Sequence, residues 1–407
     1  MKVVILAAGK GERLEPITHT RPKPFVPVLG STLVERTIQI IRKADPKSDF
    51  FIVVPKDRPN EYDAYFSRLH NIKLVEQGEK RGTGGALSSL QSIDDEVVVV
   101  YGDVYLEEMG IRRIFETDGN AILGVRVQNP SEYGSLKMDS EGNLIEIVEK
   151  SPNPPSNIVN GGVYKLTSDI FSFIDKLEKS PRGEYELTDA VTRLALTSKV
   201  KIVKYDGYWK DVGRPWDILD INKHELERHE TSLKGEVEDN VKIYGNVIID
   251  EGAKVLSGTR IEGPVYVGRG STIGPNSYIR PFTVMASNVK IGTSVEVKES
   301  VIMEDTKIPH LSYVGDSVIG EDVNFGAGTL VANLRFDEKE IYVNIKGRKE
   351  SSGRKKFGTI VGAHVRTGIN VSILPGIKIG AYAKIYPGSV VDRDVDKAEF
   401  FKGLRSS

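Results

Sequence analysis

The residues best placed to do chemistry come early in the chain. The aliphatic run Lys2–Ala8 leads into Gly9-Lys10-Gly11-Glu12-Arg13-Leu14, and Arg21-Pro22-Lys23-Pro24 follows shortly after. A glycine-rich loop at a strand end lets backbone N–H groups approach phosphate oxygens, and arginine and lysine neutralise them. Two familiar phosphate-binding patterns do not fit. The dinucleotide fingerprint needs a third glycine where Leu14 stands, and the segment has no Gly-Lys-Ser/Thr of a P-loop. An ordinary tight turn is the alternative reading, so the loop alone points to an anion site without naming one.

Two kinds of element must hold such residues. Up to about residue 225, Val- and Ile-dense runs (Lys2–Ala8, Phe50–Val54, Glu96–Tyr101, Ala121–Val127) alternate with helical spacing over Leu33–Arg42, Gly84–Leu90, Ser168–Leu177 and Leu187–Leu196. That alternation predicts an α/β layered domain. Pro215–Glu230 is helical in pattern, charged towards its end, and marks the domain connection. Beyond it the rhythm changes. Val237, Ile243, Ile249, Val255, Ile261, Val267, Ile273 and Ile279 recur at every sixth position, and Met285, Ile291 and Val297 continue. The register slips and resumes at Ile302, Ile308, Val314, Ile319, Phe325 and Val331, then again from Val361 to Val391. Neither a helix nor an alternating strand has that period; a hexapeptide β-solenoid does. Glycine and asparagine between these positions, as in Gly268, Gly270 and Asn276, suit tight corners. Leu334–Phe357 breaks the rhythm, is rich in charge, and reads as a loop or arm leaving the solenoid.

Composition narrows the function further. The chain has 407 residues with 56 Lys+Arg against 57 Asp+Glu, so no basic excess points to nucleic acid. Its longest apolar runs fall far short of the ~20 residues of a membrane span. The N-terminal run meets Gly9 too soon for a signal peptide. Cysteine is absent, which excludes disulfides, thiolate nucleophiles and Cys-ligated metal sites and fits a cytoplasmic protein.

The order of motifs then becomes specific. Leu6-Ala7-Ala8-Gly9-Lys10-Gly11-Glu12-Arg13-Leu14 and Pro22-Lys23-Pro24 are followed by Gln77, Gly82-Thr83-Gly84, Tyr101-Gly102-Asp103, Tyr133-Gly134, Glu149-Lys150 and Trp209-Lys210-Asp211-Val212-Gly213. This series resembles the sugar-1-phosphate nucleotidylyltransferases over nearly all of residues 1–225. The resemblance implies a nucleotide held by Leu6, Ala8, Gly9 and Gly11, with Gln77, Gly82 and Thr83 at a pyrimidine base. Arg13 would clamp the β- and γ-phosphates and Lys23 the α-phosphate region. Asp103 and Asp211 resemble the pair that holds Mg²⁺. Lys150 would meet the sugar phosphate, with Gly134, Glu149 and Asn160 at the sugar.

A second resemblance lies in the solenoid. Lys307-Ile308-Pro309-His310-Leu311-Ser312-Tyr313-Val314-Gly315-Asp316, then Asn324-Phe325-Gly326-Ala327-Gly328-Thr329 and Asn333, are similar to the acetyltransferase half of the bacterial bifunctional enzyme that acetylates glucosamine-1-phosphate and uridylylates the product. The resemblance implies that His310 is the general base for amine attack on acetyl-CoA. Arg280 and Lys298 would bind the sugar phosphate, and Tyr313, Asn324 and Asn333 would line the acceptor site. The Ala327 backbone would steady the thioester oxyanion and Arg393 would meet a CoA phosphate. Histidine suits the task, because an amine must lose its proton near neutral pH. For His364, on its own rung, a structural role is expected; His19, His70, His224 and His229 lack supporting residues. The stretch after Asn333 is longer than in the bacterial enzyme and ends in Arg354, Lys355 and Lys356, which read either as a CoA-phosphate contact or, more simply, as a solvated arm. Lys339 is a weaker acceptor-site candidate. Archaeal bifunctional enzymes of this group resemble the whole arrangement best.

The expected protein is an α/β Rossmann-like nucleotidyltransferase domain (residues 1–225), a helical linker (226–236) and a left-handed parallel β-helix of hexapeptide repeats (237–407). Its expected substrates are UTP or dTTP, a sugar-1-phosphate and acetyl-CoA, with Mg²⁺ as cofactor, and its expected assembly is a homotrimer. Neither nucleic acid nor membrane is an expected partner. One alternative keeps only nucleotidyl transfer, the β-helix serving oligomerisation or regulation; another is a non-catalytic regulatory subunit, against which Arg13, Lys23, Asp103 and Asp211 all speak.

Overall fold

The valine-dense runs form the centre of a nine-stranded mixed sheet in a computed structural model that describes residues 1–58, 60–69, 72–90, 95–181 and 183–403. His70 lies outside the described residues. Lys2–Leu6 pairs in parallel with Asp49–Val54 on one side and Val97–Tyr101 on the other. Such central strands are buried on both faces, which is why they read as continuous aliphatic runs rather than alternating ones. Asp49–Val54 carries Ile72–Glu76 beyond it, also parallel. On the opposite side the sheet turns antiparallel, through Ile158–Leu166 to Gly134–Met138 and Leu144–Glu149. From Lys2–Leu6 the chain steps outward to Asp49–Val54 and Ile72–Glu76 on one side and then crosses back to Val97–Tyr101 on the other, so the loops after Leu6 and Tyr101 part at the carboxyl edge of the sheet. Crevices at such switch points are where α/β sheets take ligands. Helices Leu33–Ala44 and Leu187–Ala195 bury their apolar stripes, as their spacing predicts.

The six-residue positions become the core of the solenoid. Every aliphatic position from Ile249 to Ile319 in that series is fully buried; only the first two, Val237 and Ile243, are not, because the stack ends there. Val255 pairs with Ile273 and Ile273 with Ile291, 18 residues apart, so three hexapeptides complete one coil. At the slip the spacing shortens to 17, with Val284 opposite Val301. Across the interruption it lengthens to 42, Val318 meeting Ile360. Corners are turned by residues with positive φ, among them Asn276 and Asn288, whose short polar side chains tolerate that conformation.

By its contacts the chain divides into two compact units. One comprises Met1–Lys10, Pro22–Phe25 and Leu33–Asp211; the other comprises Gly11–Arg21, Val26–Thr32 and Val212–Ser407. The predicted linker helix is corrected here. Helix Pro215–Leu226 groups with the solenoid, and 226–236 is not helical: Ser232–Leu233 already pairs with Val247–Ile249. Glu227-Arg228-His229-Glu230-Thr231 offers no apolar residue to hold another turn. The interruption is a β-hairpin, Tyr342–Ile345 against Arg348–Ser351, closed at its base by a bridge between Leu334 and Lys356. Its inner residues Ile341, Val343 and Ile345 are buried, which a charge-rich arm does not advertise.

Candidate active sites

In the first unit, two carboxylates converge on one ammonium. Lys23 Nζ lies 2.5 Å from Asp103 Oδ2 and 3.6 Å from Asp211 Oδ1, with its side chain only 8% exposed. The sheet explains the convergence. Trp209–Asp211 pairs antiparallel with Val104–Leu106, which sets Asp211 opposite Val104 and so beside Asp103. Asp103 follows Val97–Tyr101, at the carboxyl edge where the crevice opens. Leu6 and Ala8 lie at the same edge, and Gly9 has open space where a side chain would stand. Among the described residues, no group of three or more His, Cys, Asp or Glu side chains gathers as a metal site.

Gln77 is fixed by its own loop. Its side-chain amide N–H groups donate to the carbonyls of Lys80, at 2.8 Å, and Gly82, at 3.1 Å. Its Oε1 is thereby left as an acceptor. The Thr83 hydroxyl accepts from the Leu187 N–H, tying the loop to helix Leu187–Ala195. Further along the sheet, Gly134 stands opposite Glu149, and a methyl group on Gly134 would come within 2.8 Å of Glu149 Oε1. Lys150, at positive φ, is exposed beside them. Asn160 donates to the Tyr164 hydroxyl at 2.6 Å, and Tyr164 meets Tyr101 at 3.0 Å. Burial raises both phenols, Tyr101 to about 12, so this network stays neutral behind the site.

Gly11 and Arg13 group with the second unit. Arg13, on the short helix Glu12–Leu14, makes no hydrogen bond or ion pair among the described residues. Arg21 behaves otherwise. As a loop cation it suits a phosphate, yet it is fully buried and pairs with Glu321 at 3.3 Å and with Glu304. A guanidinium in that setting anchors the loop and is not available to a ligand.

The solenoid collects a second set of residues. Arg280 pairs with Glu296 at 2.8 Å. Lys298, 17% exposed, reaches Asp316 at 2.9 Å and Glu299 at 3.7 Å. Asn333 donates to the Tyr313 hydroxyl, at 3.0 Å, and to Asp316. Burial, followed by the charge of Asp316, raises the Tyr313 phenol. Gly315 permits the approach: a methyl group there would sit 2.5 Å from Tyr313 Oη and 2.7 Å from Asn333 Nδ2. His310 is the exposed last residue of strand Lys307–His310, with no side-chain partner among the described residues. Asn324 bridges between Lys307 and Arg366 through its backbone. The Ala327 carbonyl accepts from Asn370, and its N–H has no acceptor among the described residues, as an oxyanion donor requires. Arg393 is held by Glu399 at 2.7 Å and lies over the Phe401 ring. His364 is bonded to Asp322 at 2.9 Å and stacked on Tyr382, a partnered rung residue.

The basic cluster of the insertion divides. Lys355 and Lys356 are exposed, whereas Arg354 bridges Asp220 on helix Pro215–Leu226 and Glu299, at 2.5 and 2.9 Å. Lys339 is exposed. The sequence reading overlooked two residues here, Asp316 and Glu299. Asp316 closes the motif Lys307–Asp316 and Glu299 follows Lys298, yet neither has a readable role until the stacking of coils brings these carboxylates against Lys298. Because Arg354 is partly buried between two carboxylates, Arg354→Ala is expected to cost about 2 kcal/mol, between surface and buried pairs. Urea unfolding would measure it, and a change within error would show the bridge to be incidental.

Comparisons with known proteins match different stretches of the chain to different families. Residues 2–228 match the nucleotidyl transferase family. Residues 261–373 match a GMPPB C-terminal domain, and 358–393 match bacterial transferase hexapeptides. The chain is 57% identical, over 99% of its length and 100% of the relative's, to a bifunctional sugar-1-phosphate nucleotidylyltransferase/acetyltransferase of Sulfurisphaera tokodaii. It is 46% identical to the bifunctional protein GlmU of Methanocaldococcus jannaschii, over 98% of this chain and 97% of that one. A low-salt glycan biosynthesis nucleotidyltransferase of Haloferax volcanii is 31% identical over 80% of this chain and 94% of its own.

Proposed function

The chain belongs to the family of bifunctional sugar-1-phosphate nucleotidylyltransferase/acetyltransferases, and from that premise we propose how its residues divide the two reactions. Nucleotidyl transfer falls to residues 1–225, and acetyl transfer falls to the left-handed β-helix, 237–407, joined by 226–236. The observation that carries the reading is the presence of two separate constellations, one around Lys23 and one around Lys298, Tyr313 and Asn333.

In nucleotidyl transfer, a phosphate oxygen of the sugar-1-phosphate forms a bond to the α-phosphorus of the NTP. The bond from that phosphorus to the bridging oxygen breaks, and pyrophosphate leaves. Every participant is an anion, so the residues must supply positive charge. Lys23 takes the α-phosphate, Arg13 the β- and γ-phosphates, and Lys150 the sugar phosphate. Leu6, Ala8, Gly9 and Gly11 line the nucleotide with backbone, and Gly134, Glu149 and Asn160 face the sugar. Asp103 and Asp211 offer hard oxygen donors converging on one cation, a set that suits Mg²⁺ completed by substrate phosphates. When bound there, Mg²⁺ would neutralise charge developing on the phosphates.

Gln77 bears on the choice of base. With its N–H groups already donated to Lys80 and Gly82, it can only accept. Uracil and thymine present an N–H at N3, and cytosine presents a lone pair. With N-acetylglucosamine-1-phosphate as partner, pyrophosphate release is expected from UTP and dTTP and not from CTP. Equal release from CTP would overturn the base-reading role of Gln77.

In acetyl transfer, the acceptor amine attacks the thioester carbonyl. His310 takes the amine proton, the Ala327 N–H steadies the oxyanion, and CoA leaves as its thiol. Arg280, Lys298, Tyr313, Asn324 and Asn333 hold glucosamine-1-phosphate or galactosamine-1-phosphate, and Arg393 meets the CoA phosphates. A homotrimer would cover the apolar residues exposed around this site, Leu311, Leu330, Ile369 and Val390. No helix of the described residues is long and apolar enough to cross a membrane. Membership of this family supports a cytoplasmic enzyme acting on small phosphorylated substrates.

A further inference from the structure

Asp316 is the most deeply buried charged side chain at the acceptor end of the solenoid, 2% exposed. Both its oxygens are engaged. Oδ1 accepts from Lys298 Nζ at 2.9 Å and Oδ2 accepts from Asn333 Nδ2. Its own backbone is pinned, with its N–H on the Lys298 carbonyl and its carbonyl accepting from Gly358, both at 2.8 Å. It therefore cannot move to follow a ligand.

An ionised carboxylate can only accept hydrogen bonds, and this fixes the neighbouring amide. Asn333 must turn its NH₂ towards Asp316 and Tyr313, and both amide hydrogens are then used. What remains of Asn333 for a ligand is Oδ1, an acceptor. Without the carboxylate the amide could flip and present either end. The same carboxylate, with Glu299 at 3.7 Å, sets the position of the Lys298 ammonium. Glu299 is shared with Arg354 of the insertion at 2.9 Å, so the hairpin arm braces the far side of that lysine.

We propose that Asp316 is the positioning residue of the acetyl-acceptor site, orienting Asn333 to accept from the acceptor's amine and Lys298 to meet its phosphate. The inference rests on the acetyltransferase reading above and adds to it the requirement for a donor group on the sugar. Asp316 touches neither the amine nor the thioester; it acts through its two partners.

The test is steady-state kinetics of Asp316→Asn in the full-length protein, with glucosamine-1-phosphate and acetyl-CoA varied in turn. The substitution keeps the shape and removes the charge. The KM for the acceptor is expected to rise roughly tenfold, the loss of one oriented, charge-assisted bond. The KM for acetyl-CoA and the rate of UDP-sugar formation should stay near wild type, whereas the melting temperature should fall somewhat, because Lys298 loses its buried partner. In the double variant with Asn333→Ala the two effects should be less than additive, since both act through one amide. Should Asp316→Asn fail to fold, Asp316→Glu keeps the charge but displaces both partners, and the same rise is expected. An unchanged acceptor KM in a folded variant overturns the proposal, as does a parallel rise in both KM values. Failure of the acetyltransferase reading is distinguishable, because wild-type protein would then acetylate nothing.

Discussion

Lys23→Ala is expected to lower nucleotidyl transfer by roughly a thousandfold and to leave acetyl transfer within about a factor of two. Lys23 Nζ stands between Asp103 and Asp211, at 2.5 and 3.6 Å. Removing it leaves two like charges side at side, facing a substrate that brings further negative charge. Catalysis and nucleotide binding should therefore fall together. Lys23→Arg is not a conservative replacement, because a planar fork cannot take the place of a compact ammonium between two carboxylates. Retained CoA release from the same preparation would show that the chain is folded. A nucleotidyl rate within tenfold of wild type would remove Lys23 from the chemistry and leave it a structural ion pair.

The reverse separation is expected of His310→Ala. Acetyl transfer should fall by about 10²–10⁴, the usual contribution of a general base, with UDP-sugar formation unchanged. His310 is exposed and has no side-chain partner among the described residues, so its removal breaks no stabilising contact. The loss should lie in kcat, with the KM values for acetyl-CoA and acceptor little altered, because a base acts on the proton in the transition state. Full activity in this variant would assign the base elsewhere.

How much of this was legible from the chain depends on the range of the interaction. The solenoid core is a matter of period alone, and residues from Ile249 to Val391 are buried in the register that six-residue spacing predicts, Thr367 included. The central strands were equally plain, since burial on both faces leaves unbroken runs of Val and Ile. Motif residues could be singled out because glycine-rich turns and acid–base side chains stand in recognisable order. Partners brought together by coiling could not be. Asp316, Glu299 and Arg354 meet Lys298 or one another only after coils stack and a hairpin folds back, and nothing in their local sequence marks it. Arg21 shows the converse. Its neighbours suggest a phosphate ligand, yet two glutamates nearly 300 residues away, Glu304 and Glu321, already occupy it. The helix at 215–226 marks the domain connection by pattern, while its contacts, through Asp220 to Arg354 and Trp216 to Phe357, belong to the solenoid.

The central claim is that one chain carries two active sites. Release of free CoA from acetyl-CoA tests it most directly, measured with glucosamine-1-phosphate, with galactosamine-1-phosphate and with no acceptor, alongside UDP-sugar formation by the same protein. Release that depends on an amino-sugar phosphate is the expected result, and the better acceptor would reveal the configuration that the site around Asn333 prefers. Protein that forms UDP-sugar yet releases no CoA with either acceptor would contradict the account and reduce the β-helix to a scaffold.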